Sequence, residues 1–538
     1  MKDGKIWICT NMGGVSILDL QHNAFISAEE IDFQNIKATN DNYGLSSPNA
    51  RCAYQDCYGN IWIGNYRGGI DFISHTQPMF NILPYTIETA KGLSYKQVWG
   101  MWATDNQVWL GSEDELGLFI NGKKIKTYDL YSHELVYNTH INTIYEDRQK
   151  RLWLGTYKNG ILLYKPDKQE IVHISSSLFN NLDVRCFYED QNGKMWIGTE
   201  TGIYSCTNEV LVKEEEIQKQ LPDIMVHSLL RDKEGKLWVG TFGKGISIFD
   251  VNNKLLWNFV IENGFCSNAV NHMIKDSEEQ IWVATREGLA VFKNTSQPNR
   301  YKIFKEKEGL ENSHIRAICE DLEKRIWISS NDGISCLDPK QNLFYNYNHH
   351  DGVPMGDFMN GSTCMTHNGI IYFGSQNGAC FFNPKELSSI RQVSPVKITQ
   401  FCKYNKKTES KDAEISIPFK KGVVHLPYNQ NSFRITFNVL DYTQSPQVEF
   451  TYMLEGLENR WYDTQGENQV IFRNIPPGKY NFKVRTRIRN QEWDKEIASL
   501  NIFIAPPFGL PGMPNWVMSY CLSSHYMHCS VFINVNWT

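Results

Sequence analysis

What the chain lacks narrows its class first. No basic block stands out: 54 Lys and Arg stand against 59 Asp and Glu, a net charge of −5. That argues against nucleic acid or an anionic membrane as the main partner. Met1 to Trp7 have no apolar signal core and run straight into repeated sequence. The 13 cysteines form no closely spaced pairs of the kind that bind zinc, and so long a chain needs no disulfide framework. Cys52, Cys186 and Cys319 fall in equivalent apolar strands and are expected to be small buried hydrophobes. No Gly-x-Ser-x-Gly, His-Glu-x-x-His or phosphate loop occurs, and the scattered carboxylates and histidines show no convergence. Neither a catalytic set nor a cofactor is expected.

What is present is a repeat. A short apolar strand carrying a large ring, a Gly-rich turn and a second apolar strand recur at Trp7, Trp62, Trp109, Trp153, Trp196, Trp238, Trp282, Trp327 and Tyr372. Spacings of 42 to 55 residues with four short strands per copy suit one propeller blade each. In the copy around Trp153, His140–Tyr145 alternates as a strand, Leu152–Thr156 follows, Lys158-Asn159-Gly160 turns, and Ile161–Tyr164 and Glu170–Ile174 complete the blade. Asp147, Asp190, Asp232, Asp276 and Asp321 hold one repeat position and read as turn residues bonding backbone N–H groups, not as metal ligands. Antiparallel order puts the Gly-rich second-to-third turns and the fourth-to-first connections on one rim, where binding residues usually sit.

The last copy supplies three strands before the periodicity stops at Pro384, and Met79–Tyr85 resembles the missing fourth. Closing the ring with that early strand removes its open edges. The expectation is a seven-bladed β-propeller over 78–386, with 1–77 left as the last blades of an upstream propeller. Residues 387–394 read as a connector. Residues 395–508 alternate as about seven strands of an immunoglobulin-like sandwich, making the chain all-β. The tail, 509–538, is irregular and reads as out of frame; 515–534 carry too many Asn, Ser and His for a good membrane span. Cys521, His525, His528 and Cys529 in that tail read as chance, not as a metal site.

The run from Tyr452 through Gly456 to Trp461, then Pro477-Gly478-Lys479-Tyr480, then Ala505-Pro506-Pro507-Phe508, resembles the three-tyrosine domain. That module follows regulator-type propellers in the sensor halves of bacterial hybrid two-component systems, and the Trp-x-Gly-Thr blades resemble the same family. The resemblance implies a periplasmic receptor for oligosaccharides released from polysaccharides, which regulates transcription through a kinase and regulator that this chain does not contain. It also implies that the chain is not itself an enzyme; a homodimer through the sandwich is the expected association. Ser132-His133-Glu134-Leu135 imitates a phospho-accepting box but lacks its continuation and reads as a solvated loop.

On the rim stand Tyr157, Lys158, Phe242, Lys244 and Arg286, with Asn138, Asn268, Asn312 and His314 on nearby connections. Aromatic faces stack on sugar rings, amides pair with hydroxyls, and cations meet uronate or sulfate groups. These nine form the candidate ligand set. A propeller lyase or glycosidase, and a propeller that presents a face to another protein, remain the alternatives.

Overall fold

The structure, a computed structural model, describes residues 4–19, 33–38, 44–74, 79–83, 97–113, 115–120, 122–130, 140–174, 182–223, 225–387, 394–403, 413–415, 423–440, 448–488 and 493–507. The chain forms two compact units, Met1–Ser389 and Ile390–Thr538. Among the described residues, no helix is long and apolar enough to cross a membrane.

The first unit contains seven four-stranded antiparallel sheets. Six use consecutive strands, as in Ile141–Glu146, Leu152–Thr156, Ile161–Lys165 and Glu170–Ile174. The seventh takes Phe358–Met365, Ile371–Ser375 and Gly378–Phe382 from the end of the ring, and its fourth strand is Asn81–Leu83. Ala379 pairs with Leu83 and Phe381 with Asn81. Each innermost strand touches the next around the ring, and Phe358–Met365 meets Gly100–Ala103 of the first blade. The propeller is therefore closed by a strand from its own beginning. Phe80 fastens that strand: fully buried, its ring lies 4.7 Å from Phe382 and 5.2 Å from Tyr347.

Two devices recur, each in five of the seven blades. Asp276 accepts from the backbone of Glu278 at 2.9 Å and Gln280 at 2.7 Å, as its turn role requires, and its second oxygen takes the indole N–H of Trp282 at 2.8 Å. Asp147, Asp190, Asp232 and Asp321 hold Trp153, Trp196, Trp238 and Trp327 in the same way. The glycine two residues after the ring residue permits blade packing: a Cβ on Gly240 would lie 2.6 Å from Val270 Cγ1 of the next blade.

Ahead of the ring lie two three-stranded sheets, one of Lys5–Thr10, Gly14–Asp19 and Gln34–Ile36, the other of Ala50–Gln55, Ile61–Asn65 and Ile70–Ile73. Val15, Ile17, Leu45, Ala50, Ile61 and Ile63 pack between them. Here one sequence expectation fails: Cys52 is exposed, and Cys186 and Cys319 are only half-buried. Cys186 packs against the cluster around Val226 in the next blade, and burial pushes its thiol up to about 12. Among the described residues nothing equivalent covers Cys52, and Ile70 is 68% exposed where its counterpart Ile161 is 0%.

The second unit is a two-sheet sandwich. One sheet orders Ala413–Ile415, Val396–Lys403, Phe433–Val439 and Gln469–Phe472; the other orders Val423–Leu426, Ala498–Ile504, Gly478–Ile488, Val448–Glu455 and Tyr462–Asp463. That is nine strands where about seven are expected; Ala413–Ile415 and Tyr462–Asp463 are too short to show alternation. Inward residues Phe401, Ile435, Phe437, Phe450, Phe482 and Ile502 fill the core. Tyr480 Oη donates to Pro476 O at 2.8 Å, the tyrosine corner that pins such sandwiches.

Candidate ligand-binding rim

The rim is built by repetition. The residue after each second strand donates its N–H to the residue just before the innermost strand: Tyr157 to His140 at 2.9 Å, Phe242 to Met225 at 3.0 Å, Arg286 to Ala269 at 3.2 Å. The turn glycine then bonds the connection of the next blade, as Gly245 to Asn268 O at 2.8 Å and Gly288 to Ser313 O at 2.9 Å. Turn and connection are thus tied together by backbone hydrogen bonds at these positions.

The predicted residues differ in state. Tyr157 stacks on His140 with centroids 4.7 Å apart, His140 stacks on Trp99 at 5.4 Å, and Lys158 Nζ lies 4.7 Å from the Tyr157 centroid. Phe242 lies 5.2 Å from His227 and carries the Arg286 guanidinium at 4.5 Å. Lys244 is exposed, its backbone N–H donating to Thr241 Oγ1 at 3.0 Å. Asn268 is committed to its own turn: its side-chain oxygen takes the N–H of Ile261 at 2.8 Å. Asn312 is likewise spent, donating to Asp332 at 2.5 Å and accepting from the His314 N–H at 2.7 Å. Asn138, like His133, lies outside the described residues.

Sequence reading missed a second ring. In five successive blades the innermost strand bulges by one residue just after its first apolar position, and the extra residues are Asn142, Arg185, His227, Asn271 and Arg316. A bulge re-aims a side chain that regular pleating would bury. The signal was present as a polar residue following Ile141, Val184, Val226, Val270 and Ile315 in each copy. Asn142 and Asn271 donate to the next blade, at Val184 O (3.1 Å) and Ile315 O (2.7 Å). Arg316 is fully engaged by Asn331 at 2.8 Å, Asn360 at 3.0 Å and Asp357 at 3.0 Å.

Burial sets the charge states. Desolvation, with Arg185 and Arg286 nearby, pushes His227 down to about 4; desolvation, then Arg316 and Arg286, also lowers His314. Both imidazoles are therefore neutral at neutral pH. Asp183 is raised to about 6 by desolvation, although Arg185 pairs with it. Among the described residues, no group of three His, Cys, Asp or Glu could hold a metal ion. The rim offers aromatic faces, neutral imidazoles and an exposed guanidinium, an assembly suited to holding a polar ligand.

Comparison with known proteins agrees with this architecture. The model described as "Two component regulator propeller" matches residues 136–158, 177–201 and 220–243, and the "Y_Y_Y domain" matches 441–505. The extracellular domain of the hybrid two-component system BT3049 from B. thetaiotaomicron is similar with a TM-score of 0.82 and 40% identity, over 94% of this chain and 67% of that one. Histidine kinase P4 of Formosa agariphila is 25% identical over 440 residues, which are 70% of this chain but 32% of the relative. The chain thus spans about a third of that kinase.

Proposed function

Because this chain belongs to the family of extracellular sensor regions of hybrid two-component systems, we propose that it binds an oligosaccharide from polysaccharide breakdown and thereby controls transcription through a downstream kinase. The binding surface in this reading is the propeller rim, on the periplasmic side of the membrane. The observation that carries it is the pairing of Phe242 with Arg286 across two neighbouring blades. Flat apolar faces next to hydrogen-bond donors match the two sides of a pyranose. The chain itself is read as a receptor and not a lyase or glycosidase. Any signal arises from the ligand's different affinity for two arrangements of the receptor, and can be no larger than that difference.

The test is incubation of the chain with a panel of polysaccharide digests, followed by calorimetry and chromatography. Saturable binding with the ligand recovered unchanged supports the receptor; new reducing or unsaturated ends overturn it.

A further inference from the structure

The rim chemistry is specific enough to name a ligand class. Resting on the sugar-receptor reading, we infer that Arg286 and His314 together receive the anionic oxygens of an acidic sugar, a carboxylate or a sulfate.

The first part of the argument is a count of partners. Arg185 pairs with Asp183, and Arg316 pairs with Asp357 at 3.0 Å. Arg286, exposed and close enough for its charge to act on His314 and Arg316, has no carboxylate partner among the described residues. Its guanidinium instead lies over the Phe242 ring at 4.5 Å. That contact fixes the plane of the group and leaves its N–H edge free, the geometry for bidentate recognition of a planar or tetrahedral anion.

The second part concerns His314. Arg316 Nε donates to Asn331 Oδ1 at 2.8 Å, which fixes how that amide points. Asn331 Nδ2 therefore faces His314 Nδ1, at 3.4 Å, as a donor. In a neutral imidazole whose Nδ1 accepts, Nε2 carries the proton. His314 Nε2 is buried and has no partner among the described residues. A buried donor without an acceptor is costly, and a ligand oxygen would satisfy it. The backbone joins the two segments: Gly288, two residues after Arg286, donates to Ser313 O, next to His314, at 2.9 Å, and the Arg286 charge acts on the His314 ring. One cation without a counter-ion and one neutral donor suit a single acidic group better than a polyanion.

The experiment titrates the full chain by calorimetry with matched pairs that differ only in charge: oligogalacturonides against their methyl esters, and sulfated against unsulfated chondroitin disaccharides. Free glucuronate and inorganic sulfate serve as minimal probes. The expected result is tighter binding of the acidic member of a pair. In Arg286→Gln that preference falls about 10- to 100-fold, the loss of a charge-assisted pair of hydrogen bonds; the neutral member weakens by a smaller factor, and the urea midpoint is unchanged. His314→Phe lowers acidic binding by a smaller factor. The pair that responds distinguishes carboxylate from sulfate. Equal affinity within every pair, or a preference that survives Arg286→Gln, overturns the acidic site and leaves the sugar receptor standing. Glucuronate or sulfate binding that depends on Arg286, with no oligosaccharide bound, upholds the anion site and sinks the sugar receptor. No binding by any probe refutes both.

Discussion

Asp276 and Trp282 are joined by a 2.8 Å hydrogen bond from the indole N–H to the carboxylate oxygen that the turn leaves free. Six residues separate them, and the same pair recurs at Asp147 with Trp153, Asp190 with Trp196, Asp232 with Trp238 and Asp321 with Trp327. In the seventh blade both members change together: Thr366 stands in the turn, where it donates to Ile370 O, and Tyr372 replaces the tryptophan. In these five blades the carboxylate and the indole act as one unit, which gives the buried tryptophan's only polar atom an acceptor.

Asp276→Ala should destabilise the propeller by about 2–4 kcal/mol, since two backbone donors and one indole lose a buried acceptor. Trp282→Phe removes one of those bonds and part of the ring. The double variant should fall short of the sum by at least about 0.5 kcal/mol, the sign of a direct interaction. Urea denaturation followed by tryptophan fluorescence measures all three; strict additivity would mean the bond contributes nothing.

Ring closure makes a sharper demand. Phe80 immediately precedes Asn81–Leu83, a strand of three residues that comes before the first blade yet completes the last. Phe80→Ala should cost about 3–5 kcal/mol, as for other fully buried aromatics. The effect should extend to the first and last blades, with amide exchange rising along Gly378–Phe382 and Gly100–Ala103. Exchange confined to residues 79–83 would show that the ring stays closed without this strand.

The period of the tryptophans was enough to define the blades, and the shortfall at Pro384 was enough to point to the closing strand near Met79, because strand pairing must be completed somewhere. What was not legible has a common physical origin. The bulges at Asn142, Arg185, His227, Asn271 and Arg316 depend on register between neighbouring strands, which alternation within one strand does not encode. Asn268 and Asn312 look like free amides in the sequence, and only the folded turn shows their oxygens already occupied. Cys52 shows the same limit: its strand pattern matches that of Cys186, and burial depends on whether a neighbouring sheet covers it.

Acid should weaken the propeller through its buried imidazoles. Burial holds His227 and His272 each at about 4, below the ordinary value of 6.5. Between pH 6.5 and 4 the unfolded chain binds protons that the folded chain refuses, so each histidine makes stability rise with pH across that window. Asp183, raised to about 6, acts oppositely: folded, it holds a proton between pH 6 and 3.8 that the unfolded chain releases, so its contribution declines as pH rises. The two histidines outweigh the one aspartate, and stability should fall as pH drops from 6.5 to 4. His272→Gln should flatten that slope and Asp183→Asn should steepen it, both read from denaturation midpoints at half-unit pH steps. A slope unchanged in both variants would place the pH response elsewhere.

Rim residues that hold the fold should separate from rim residues that meet a ligand. Asn268 ties Ile261 to its turn through its side chain, while its carbonyl receives Gly245 from the preceding blade. Asn268→Ala should therefore cost about 1–2 kcal/mol of stability and leave the intrinsic affinity for an oligosaccharide within twofold. Tyr157 makes the opposite case. It is half-buried, its ring is stacked on His140, and its backbone N–H, which any residue would supply, makes the structural bond to His140 O. Tyr157→Ala should lower sugar affinity by about 3- to 10-fold, the worth of one aromatic face, with a smaller loss of stability than Asn268→Ala. Calorimetry and urea titration on the two variants give the four numbers needed. If Asn268→Ala abolishes binding in a chain that is still fully folded, the amide is a ligand contact and its turn role is secondary. If Tyr157→Ala binds as tightly as the parent, the ligand site lies away from this side of the rim, toward Phe242 and Arg286.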